Sequence, residues 1–330
     1  MNQSHLTTGK RRGLTSTSSD QGIFTILAFD HRQSFVDMVA PQGKPAGVYD
    51  TASSAKIDVV RVLSPVASAV LLDPLYGASQ AIARDALPAR TGLLVAVERS
   101  GYSGASTARI SSLLPKWGVE KIKRMGADAV KLLIYYHPDG GEIRDRQEHL
   151  AEEVAQRCWD FDIAFFLEAV TYSLDEEHGK DSKAFAEKRP ALIARTAKRL
   201  SSLAPDVLKI EFPVDANRDQ DEGHWLEACQ AVSKVSTCPW TVLSAGVDFD
   251  LFAREVEVAC KGGASGFIGG RAIWKEGVLL PEEERMGWLE SVGRDRLQKL
   301  SQITSQHARP WTDFYPPQDI GRFRDWYAKY

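Results

Sequence analysis

The sequence predicts an α/β protein, a single (β/α)8 TIM barrel with an aromatic-rich C-terminal extension. Eight short apolar or β-rich runs recur along the chain, and most are followed by an amphipathic helical stretch. Strands that alternate with helices are typical of a parallel sheet covered on both faces. Eight such units in roughly 250 residues fit a closed barrel better than an open sheet. A doubly wound sheet is the alternative, but no G-x-G-x-x-G follows the first run, where the sequence reads Asp30-His-Arg-Gln-Ser34.

Each predicted strand is an apolar run that ends at polar, small or turn-forming residues, as buried strands do. In chain order the runs are Phe24–Asp30, Ala69–Asp73, Gly92–Glu98, Ala129–Tyr135, Ala164–Glu168, Val207–Glu211, Trp240–Ser244 and Gly266–Gly269. Helix-like segments between them include Glu142–Asp160, Ala184–Ser202 and Leu251–Cys260. No repeat of fixed period and no low-complexity linker divides the chain, so we expect one barrel domain over residues 21–305.

The two ends of the chain depart from this rhythm. Residues 1–20 are polar and Ser/Thr-rich, with no hydrophobic core of a secretory signal, so we expect a flexible segment. Residues 306–330 carry the aromatic side chains Trp311, Phe314, Tyr315, Phe323, Trp326, Tyr327 and Tyr330. That much aromatic surface does not usually stay in water. We expect this extension to pack on the barrel, to cover a site or to contact another subunit.

The composition excludes several classes of function. Hydrophobic residues make up 43% of the chain and charged residues 26%, with a net charge of -3, which is typical of a globular protein with a small-molecule partner rather than nucleic acid or a membrane. The four cysteines form no C-x-x-C pair and the seven histidines no H-x-H or H-E-x-x-H motif. We therefore expect a cytoplasmic protein with no cofactor and no bound metal.

Polar residues end most of the predicted strands, and the chemistry of a barrel takes place at that end. Alternation along Val207–Glu211 places Val207, Lys209 and Glu211 on one face. A lysine held inside a barrel tends to have a lowered pKa, and its neutral amine attacks carbonyl groups to form a Schiff base. The alternative is a structural lysine that pairs with Glu211 or reaches water.

The same alternation makes three side chains of neighbouring strands converge in the barrel mouth: Lys131, Glu168 and Lys209. Two lysines close together lower the pKa of one of them, and a glutamate beside them can shuttle protons. A structural Lys–Glu–Lys ion-pair network is the alternative interpretation.

Two glycine-containing tripeptides follow the last two strands, where barrels commonly bind phosphate. They are Ser244-Ala245-Gly246 and Gly269-Gly270-Arg271. Small residues let backbone N–H groups approach an anion, and an arginine adds a bidentate contact.

These residues lie in motifs that match a known family over roughly residues 20 to 300. The matching segments are Leu27-Ala-Phe-Asp-His-Arg32, Leu71-Leu-Asp-Pro-Leu-Tyr-Gly77, Glu98-Arg-Ser-Gly-Tyr102, Val130-Lys-Leu-Leu-Ile-Tyr-Tyr136, Phe165-Phe-Leu-Glu168, Asp206-Val-Leu-Lys-Ile-Glu-Phe-Pro-Val214, Leu243-Ser-Ala-Gly-Val247 and Gly269-Gly-Arg-Ala-Ile-Trp274. The chain thus resembles the class I tagatose 1,6-bisphosphate aldolases, whose relatives include sulfofructose 1-phosphate aldolases.

The resemblance implies a role for each matching residue. Lys209 would be the Schiff-base lysine and Glu168 the main proton shuttle, while Asp30 and Lys131 would contact the substrate and tune the lysine. The dihydroxyacetone phosphate end would be held by Ser244, Ala245, Gly246, Gly269, Gly270 and Arg271, and a distal anion by Arg32. One departure is His31, which stands beside the catalytic aspartate where the family pattern usually has glutamine.

The sequence therefore predicts a class I, metal-independent aldolase that cleaves a ketose phosphate. Tagatose 1,6-bisphosphate is the expected substrate, with dihydroxyacetone phosphate and glyceraldehyde 3-phosphate as products. A homo-oligomer is a further possibility. The alternatives are the same chemistry on a sulfofructose or deoxy-sugar phosphate, a metal-dependent aldolase that uses His31 and His137, and a non-catalytic protein that senses sugar phosphates.

Overall fold

A computed structural model describes residues 6–39, 47–317, 324–328 and 330. Eight parallel strands close into a barrel in the order β1-β2-β3-β4-β5-β6-β7-β8, each hydrogen-bonded to its neighbour in sequence, with β8 paired to β1. The predicted fold class is thereby confirmed, and the open sheet is excluded by the pairing of β8 with β1.

The strands coincide closely with the apolar runs of the sequence. They are β1 Phe24–Phe29, β2 Ala69–Leu72, β3 Gly92–Ala96, β4 Ala129–Tyr136, β5 Ala164–Thr171, β6 Val207–Glu211, β7 Trp240–Leu243 and β8 Gly266–Gly269. Nearly every strand residue is buried, because the barrel interior lies on one side and the helices on the other. Four of the polar residues that were expected to end strands lie one or two positions beyond them: Asp30, Asp73, Glu98 and Ser244.

The α-helices within the described residues surround the barrel or close its ends. They are α1 Thr8–Thr17, α2 Gln33–Val39, α3 Val48–Leu63, α4 Ala78–Ala83, α5 Val119–Arg124, α6 Gly141–Asp160, α7 Lys183–Ser201, α8 Glu222–Val235, α9 Phe249–Lys261, α10 Arg271–Val278, α11 Glu282–Trp288 and α12 Arg294–His307. A π-helical turn, Leu289–Gly293, joins α11 to α12. Helices α6, α7 and α9 agree with the helix-like segments of the sequence within two residues at each end.

The N-terminal segment, expected to be flexible over residues 1–20, contains a helix. Helix α1 begins after Thr7, whose side chain accepts a hydrogen bond from the Lys10 backbone, and it buries Lys10, Gly13 and Leu14. The Lys10 ammonium lies 2.9 Å from the Asp206 carboxylate just before β6. A Cβ on Gly13 would lie 2.4 Å from the Asp128 carbonyl, so only glycine fits this close approach. The helix therefore lies against the N-terminal ends of the strands. Residues 1–5 lie outside the described residues.

The first part of the C-terminal extension packs on the same end of the barrel. Trp311 donates from its backbone to the Gly22 carbonyl and from its indole to Ser18, and it is 3% exposed. The Tyr315 hydroxyl donates to the Asp206 carbonyl. Trp326, Tyr327 and Tyr330, in contrast, are exposed. Phe323, with the rest of 318–323 and Lys329, lies outside the described residues.

The connection from β3 to α5 forms a hairpin-like loop over the mouth of the barrel. Antiparallel bridges join Glu98 to Leu113 and Ser103 to Ile110. Gly104 at its tip has φ +90°, and a Cβ there would lie 2.3 Å from the Ala108 carbonyl, so a larger residue would not fit. We call residues 98–113 the β3 hairpin.

The core is continuous from the barrel interior to the helices. Inside the barrel the rings of Phe24 and Phe166 meet edge to face at 5.5 Å. The four cysteines are all buried as free thiols. Within the described part of the chain, no helix is both long enough and apolar enough to cross a membrane.

Candidate active site

The strand register brings the predicted site residues to one place. Glu168 of β5 is the direct neighbour of Lys209 in β6, and it also faces Leu133 in β4. Lys131 lies two residues before Leu133 and therefore shares its face, one layer deeper in the barrel. The three side chains point into the interior and meet there, as the alternation of the sequence predicted.

Lys131 lies among three carboxylates and is almost fully buried, with 1% of its side chain exposed. Its ammonium is 2.7 Å from Asp30, 2.9 Å from Glu98 and 2.8 Å from Glu168. Burial alone would lower the pKa of this ammonium, but the three carboxylates outweigh burial and hold that pKa well above its usual range. Lys131 is therefore a fixed positive charge, which makes it unsuited to be a nucleophile.

Lys209 has a simpler environment. Its ammonium lies 2.9 Å from Glu168 Oε2, which is its one carboxylate contact within 4 Å among the described residues. The same oxygen lies 2.8 Å from Lys131. Lys209 thus shares its only such acceptor with a permanent cation, whereas Lys131, which also lines the cavity, is held by three carboxylates. Of the two lysines, Lys209 is the one with the freedom to react.

The acidic members of the cluster are held ionised. Burial would raise the pKa of the Asp30 carboxyl, but the charges of Lys131 and Lys209 outweigh it and hold that pKa well below its usual range. Burial also works to raise the pKa of Glu168, and the same two lysines bring it below its ordinary value. Glu168 is therefore an ionised carboxylate that can accept a proton from a substrate hydroxyl.

Glu98 is a third carboxylate of the cluster, which sequence reasoning recognised only as a polar strand end. It accepts hydrogen bonds from Lys131 and from the Leu133 backbone. Arg32, the residue expected to bind a distal anion, donates to the Glu98 backbone carbonyl at 2.6 Å and to its carboxylate at 3.3 Å. Arg32 is 5% exposed, so its guanidinium holds Glu98 in place from behind.

A second buried ion pair supports the segment that carries Asp30. Lys56 of α3 lies 2.5 Å from Asp73, and both side chains are fully buried. The Lys56 ammonium also donates to the backbone carbonyls of Phe29 and His31, at 2.6 and 2.7 Å, on either side of Asp30. Asp73 in turn accepts from the backbone of Leu75 and Tyr76. Lys56 therefore fixes the backbone that positions Asp30 toward Lys131.

His31 lies at the rim of the cluster with its ring against Trp274, the centroids 5.4 Å apart. Its Nδ1 is 4.0 Å from Asp30 and has no hydrogen-bond partner among the described residues. Burial lowers the pKa of this imidazole to about 4, with the nearby charges of Arg271, Lys56 and Lys209 adding to the effect and Asp30 opposing it. The ring is therefore neutral at physiological pH.

The two loops expected to bind phosphate are adjacent. The Gly270 backbone N–H donates to Ser244 Oγ at 3.4 Å, and Arg271 donates to the Ala245 carbonyl at 3.3 Å. Ala245 and Gly246 both have positive φ, 47° and 88°, and a Cβ on Gly246 would lie 2.8 Å from the Arg271 guanidinium. Gly270 precedes the first turn of α10, whose N–H groups face the same space. Gly269 lies behind, where a Cβ would contact Phe252 and Ile273.

One open cavity of about 950 Å³ connects these groups. Its lining includes Asp30, His31, Arg32, Lys131, Glu168, Lys209, Ser244, Ala245, Gly270 and Arg271. It also includes five basic residues to which the sequence gave no role, Arg99, Arg109, Lys180, Arg189 and Arg218. Arg99 directly follows the strand-end residue Glu98. Nothing in the sequence distinguishes the other four from surface arginines and lysines, because they do not lie at strand ends.

Glu211 does not pair with Lys209, which was one alternative for the lysine. Its carboxylate forms an ion pair with Lys180 and accepts hydrogen bonds from the backbone and hydroxyl of Thr171, at 2.8 and 2.6 Å. Burial works to raise the pKa of Glu211, and Lys180 and Arg189 lower it below its ordinary value.

The histidines considered for a metal-dependent aldolase are not brought together. His137 follows β4 and lies near Asp139 and Tyr172, while His31 lies against Trp274. Within residues 6–39, 47–317, 324–328 and 330, no group of three or more His, Cys, Asp or Glu side chains is arranged to hold a metal ion.

The sequence of the chain matches a family of aldolases over most of its length. Residues 24–276 match the DeoC/LacD family aldolase. Tagatose 1,6-diphosphate aldolase 1 of Streptococcus pyogenes serotype M3 is 33% identical over 324 residues, which cover 93% of this chain and 98% of the relative. The protein of the same name from Enterococcus faecalis is 34% identical over 318 residues, which cover 91% and 95%.

Solved structures share the fold at lower identity. An archaeal fructose 1,6-bisphosphate aldolase has a TM-score of 0.58 and 18% identity, covering 89% of this chain and 98% of that chain. A fructose-bisphosphate aldolase from Slackia heliotrinireducens has a TM-score of 0.59 and 17% identity, covering 90% of each chain.

Proposed function

The chain belongs to the DeoC/LacD family of aldolases, and from that premise we propose that it is a class I, metal-independent aldolase acting on tagatose 1,6-bisphosphate. The products are dihydroxyacetone phosphate and glyceraldehyde 3-phosphate. Relatives that carry this activity in their names match over nearly their whole length, which supports the substrate. The observation that carries the mechanism is Glu168 Oε2, which lies 2.8 Å from Lys131 and 2.9 Å from Lys209.

The reaction begins at Lys209. Its neutral amine attacks the C2 carbonyl of the open-chain ketose, and the carbonyl oxygen is protonated to give a carbinolamine. Loss of water then forms an iminium ion. Glu168 is in contact with the amine and takes up the proton that Lys209 must lose before it attacks. Glu168 then returns this proton to the carbinolamine hydroxyl, which leaves as water, so that Glu168 is a carboxylate again before the C3–C4 bond breaks. Lys131 stays charged throughout and stabilises the carboxylates that surround the reacting carbon.

Cleavage of the C3–C4 bond follows. Glu168 removes the proton of the C4 hydroxyl, the electrons of the C3–C4 bond move into the iminium, and the aldehyde fragment leaves. Glu168 gives the proton it took from the C4 hydroxyl to C3 of the resulting enamine, and hydrolysis of the iminium that forms releases dihydroxyacetone phosphate and regenerates Lys209. Asp30 accepts from the Lys131 ammonium and, with Glu168, faces the hydroxyl-bearing part of the substrate.

The phosphate of the dihydroxyacetone end binds between the loops after β7 and β8. Its ligands are the backbone N–H groups at the start of α10, the Ser244 hydroxyl and the Arg271 guanidinium. Holding this end still supplies the orientation on which the rate of carbinolamine formation depends.

The setting of this activity is that of carbohydrate metabolism in the cytoplasm, and the substrate is a small sugar phosphate. The exposed aromatic side chains of Trp326, Tyr327 and Tyr330 are suited to contacts between copies of the chain. Size-exclusion chromatography with light scattering tests the proposed homo-oligomer.

Borohydride trapping tests the mechanism. Reduction of the enzyme in the presence of dihydroxyacetone phosphate, followed by peptide mass mapping, is expected to place the adduct on Lys209 and to give none in Lys209→Ala. An adduct on Lys131 would keep the chemistry and change the nucleophile. Absence of any adduct, together with retained binding of dihydroxyacetone phosphate, would instead favour the non-catalytic sensor.

A further inference from the structure

His31 is an imidazole of the active-site cavity that the protein holds by packing and not by hydrogen bonds. Within the described residues neither ring nitrogen has a hydrogen-bond partner, and the Asp30 carboxylate lies 4.0 Å from Nδ1. The ring packs edge to face against Trp274, and the exposed 24% of the side chain belongs to a residue that lines the cavity. Both nitrogens are therefore available to a ligand in the cavity.

The ring lies beside the loop that follows β8. Leu27 of β1 pairs with Gly269 of β8, so the segments that follow these two strands lie side by side. A Cβ built on Gly270 would lie 3.1 Å from His31 Cε1, the carbon to which both ring nitrogens are bonded. The nitrogen-bearing edge of the imidazole thus faces the backbone that leads into α10, which is the proposed site of the C1 phosphate.

The charges that face the ring keep it neutral. Burial is the main cause of its low pKa of about 4, and Asp30 on the same segment opposes burial. The charges of Arg271 of α10, Lys56 of α3 and Lys209 of β6 lower the pKa further. Protonation of His31 would add one more positive charge to a region in which three cations face one carboxylate.

A bound phosphate ester changes this balance of charge. At the start of α10 and beside Arg271, it brings up to two negative charges next to the imidazole. A negative charge within about 4–6 Å favours the charged form of an imidazole and raises its pKa by roughly one to three pH units. The pKa of His31 is then expected at about 5–7, where the ring is partly protonated near neutral pH.

We propose that His31 takes up a proton when a phosphate ester binds to the loops after β7 and β8, and that the imidazolium formed becomes an additional ligand of that phosphate. The proton comes from the solvent, forms the second N–H bond of the ring and returns to the solvent when the ester leaves. This inference rests on the phosphate site of the proposed function and adds a control of its affinity by pH. Release of the phosphorylated product is thereby coupled to release of a proton.

Calorimetric titration of the enzyme with glycerol 3-phosphate tests the proposal. This ester has no carbonyl group, so it binds at the phosphate site without forming a Schiff base. Titrations in two buffers of different ionisation enthalpy give the number of protons taken up on binding. At pH 6 the parent enzyme is expected to take up about half a proton more than His31→Gln, as a pKa raised by about two pH units requires.

The dependence of affinity on pH gives a second measurement on the same two proteins. The amide of His31→Gln donates hydrogen bonds but does not titrate, and the ester's own second pKa, about 6, affects both proteins equally. The affinity of the parent enzyme relative to that of the variant is expected to rise by about tenfold between pH 8 and pH 5. Equal proton uptake by the two proteins, or a ratio of affinities that does not change with pH, would overturn the proposal.

His137→Gln is the matched control. It removes another imidazole, one that follows β4 and is not among the residues that line the cavity. We expect this variant to take up as many protons as the parent enzyme on binding glycerol 3-phosphate. Loss of the uptake in His137→Gln, with the uptake retained in His31→Gln, would assign the proton to the wrong side of the barrel for this proposal and refute it.

NMR of the parent enzyme, labelled with carbon-13 at the histidine Cε1 positions, tests the same titration without a substitution. One imidazole signal is expected to move its titration midpoint from about 4 to about 6 when glycerol 3-phosphate saturates the enzyme. If no histidine signal changes its midpoint, or if the ester does not bind at any pH, the proposal is wrong.

The failure of the proposed function would look different. In that case the parent enzyme would cleave no ketose phosphate and would form no borohydride adduct on Lys209, whatever the proton uptake with glycerol 3-phosphate. An enzyme that forms the adduct and binds glycerol 3-phosphate, with the same proton uptake in His31→Gln as in the parent, would refute the inference about His31 alone.

Discussion

Glu168 is the residue on which the chemistry depends most directly, because one of its oxygens contacts both lysines of the site. Glu168→Gln keeps the size of the side chain but removes the basic oxygen, so turnover is expected to fall by roughly 10²- to 10⁴-fold. Trapping with borohydride checks the step affected. We expect the adduct on Lys209 to form in this variant, but more slowly than in the parent enzyme. Turnover equal to that of the parent enzyme would contradict the assignment of Glu168 as general base.

His31 gives a prediction about pH. The pKa of its imidazole is lowered from 6.5 to about 4 in the folded protein, first by burial. The unfolded chain therefore binds more protons between these two values, so the free energy of unfolding decreases as the pH falls from about 6.5 to about 4. The loss due to this residue is at most about 3 kcal/mol at the acid end.

His31→Gln removes this titration. Its stability is expected to depend less steeply on pH than that of the parent protein between pH 6.5 and 4, as measured by urea unfolding at a series of pH values. The difference between the two proteins isolates His31 from groups that both share, such as Glu255, whose burial raises its pKa to about 8 and gives the opposite slope. Parallel curves for the two proteins would refute the prediction.

At the residue scale, the sequence predicted the positions of those side chains whose direction follows from alternation along a strand. Lys131, Glu168 and Lys209 meet in the barrel interior because of the register of their buried strands. A shift of one residue would point these side chains toward the helices instead. The contacts of Arg32 and Arg109 were not predictable in this way. Both are arginines of loops, and their partners, Glu98 and a tyrosine ring, are set by the tertiary packing of those loops.

Among the secondary structure elements, α3 acts on the active site through a single side chain. Lys56 joins α3 to the ends of β1 and β2 through Asp73 and the carbonyls of Phe29 and His31. Lys56→Met leaves Asp73 buried without its partner, so the free energy of unfolding is expected to fall by roughly 3–5 kcal/mol. Turnover is also expected to fall, because Asp30 loses the support that aims it at Lys131.

A double variant separates these two effects. Lys56→Met combined with Asp73→Asn removes the unpaired charge, while the oxygen of the introduced amide remains an acceptor for the backbone of Leu75 and Tyr76. We expect much of the stability to return but not the turnover, since the carbonyls beside Asp30 still lack their donor. Full recovery of kcat in the double variant would show that Lys56 acts on stability alone.

The sequence predicted the strands and the long helices well, but it missed α1 and the β3 hairpin. Helix α1 has few apolar residues, and its burial depends on an ion pair with Asp206 and on the close approach of Gly13 to Asp128. The hairpin depends on Gln147 from another helix. Neither has a hydrophobic period of its own, and that period is what a single sequence reveals.

On the scale of the whole molecule, the two ends of the barrel have different functions. The reactive groups lie at the C-terminal ends of the strands, whereas α1 and Trp311 and Tyr315 close the N-terminal ends through Ser18, Gly22 and Asp206. Substitutions at the closed end are therefore expected to change stability and not chemistry.

Trp311→Ala tests this separation. The indole is 3% exposed and donates to Ser18, so its removal leaves a cavity and removes one hydrogen bond. The free energy of unfolding is therefore expected to fall by roughly 3–5 kcal/mol. Tyr327→Ala is the matched control in the same extension, because Tyr327 is 73% exposed and its loss is expected to change stability by less than about 0.5 kcal/mol. Urea unfolding measures both, and kcat/KM below the unfolding transition is expected to match the parent enzyme in each. A Trp311→Ala enzyme that is folded but has lost turnover would contradict this separation. It would mean that a packing defect at the closed end changes the positions of the reactive groups at the other end of the strands.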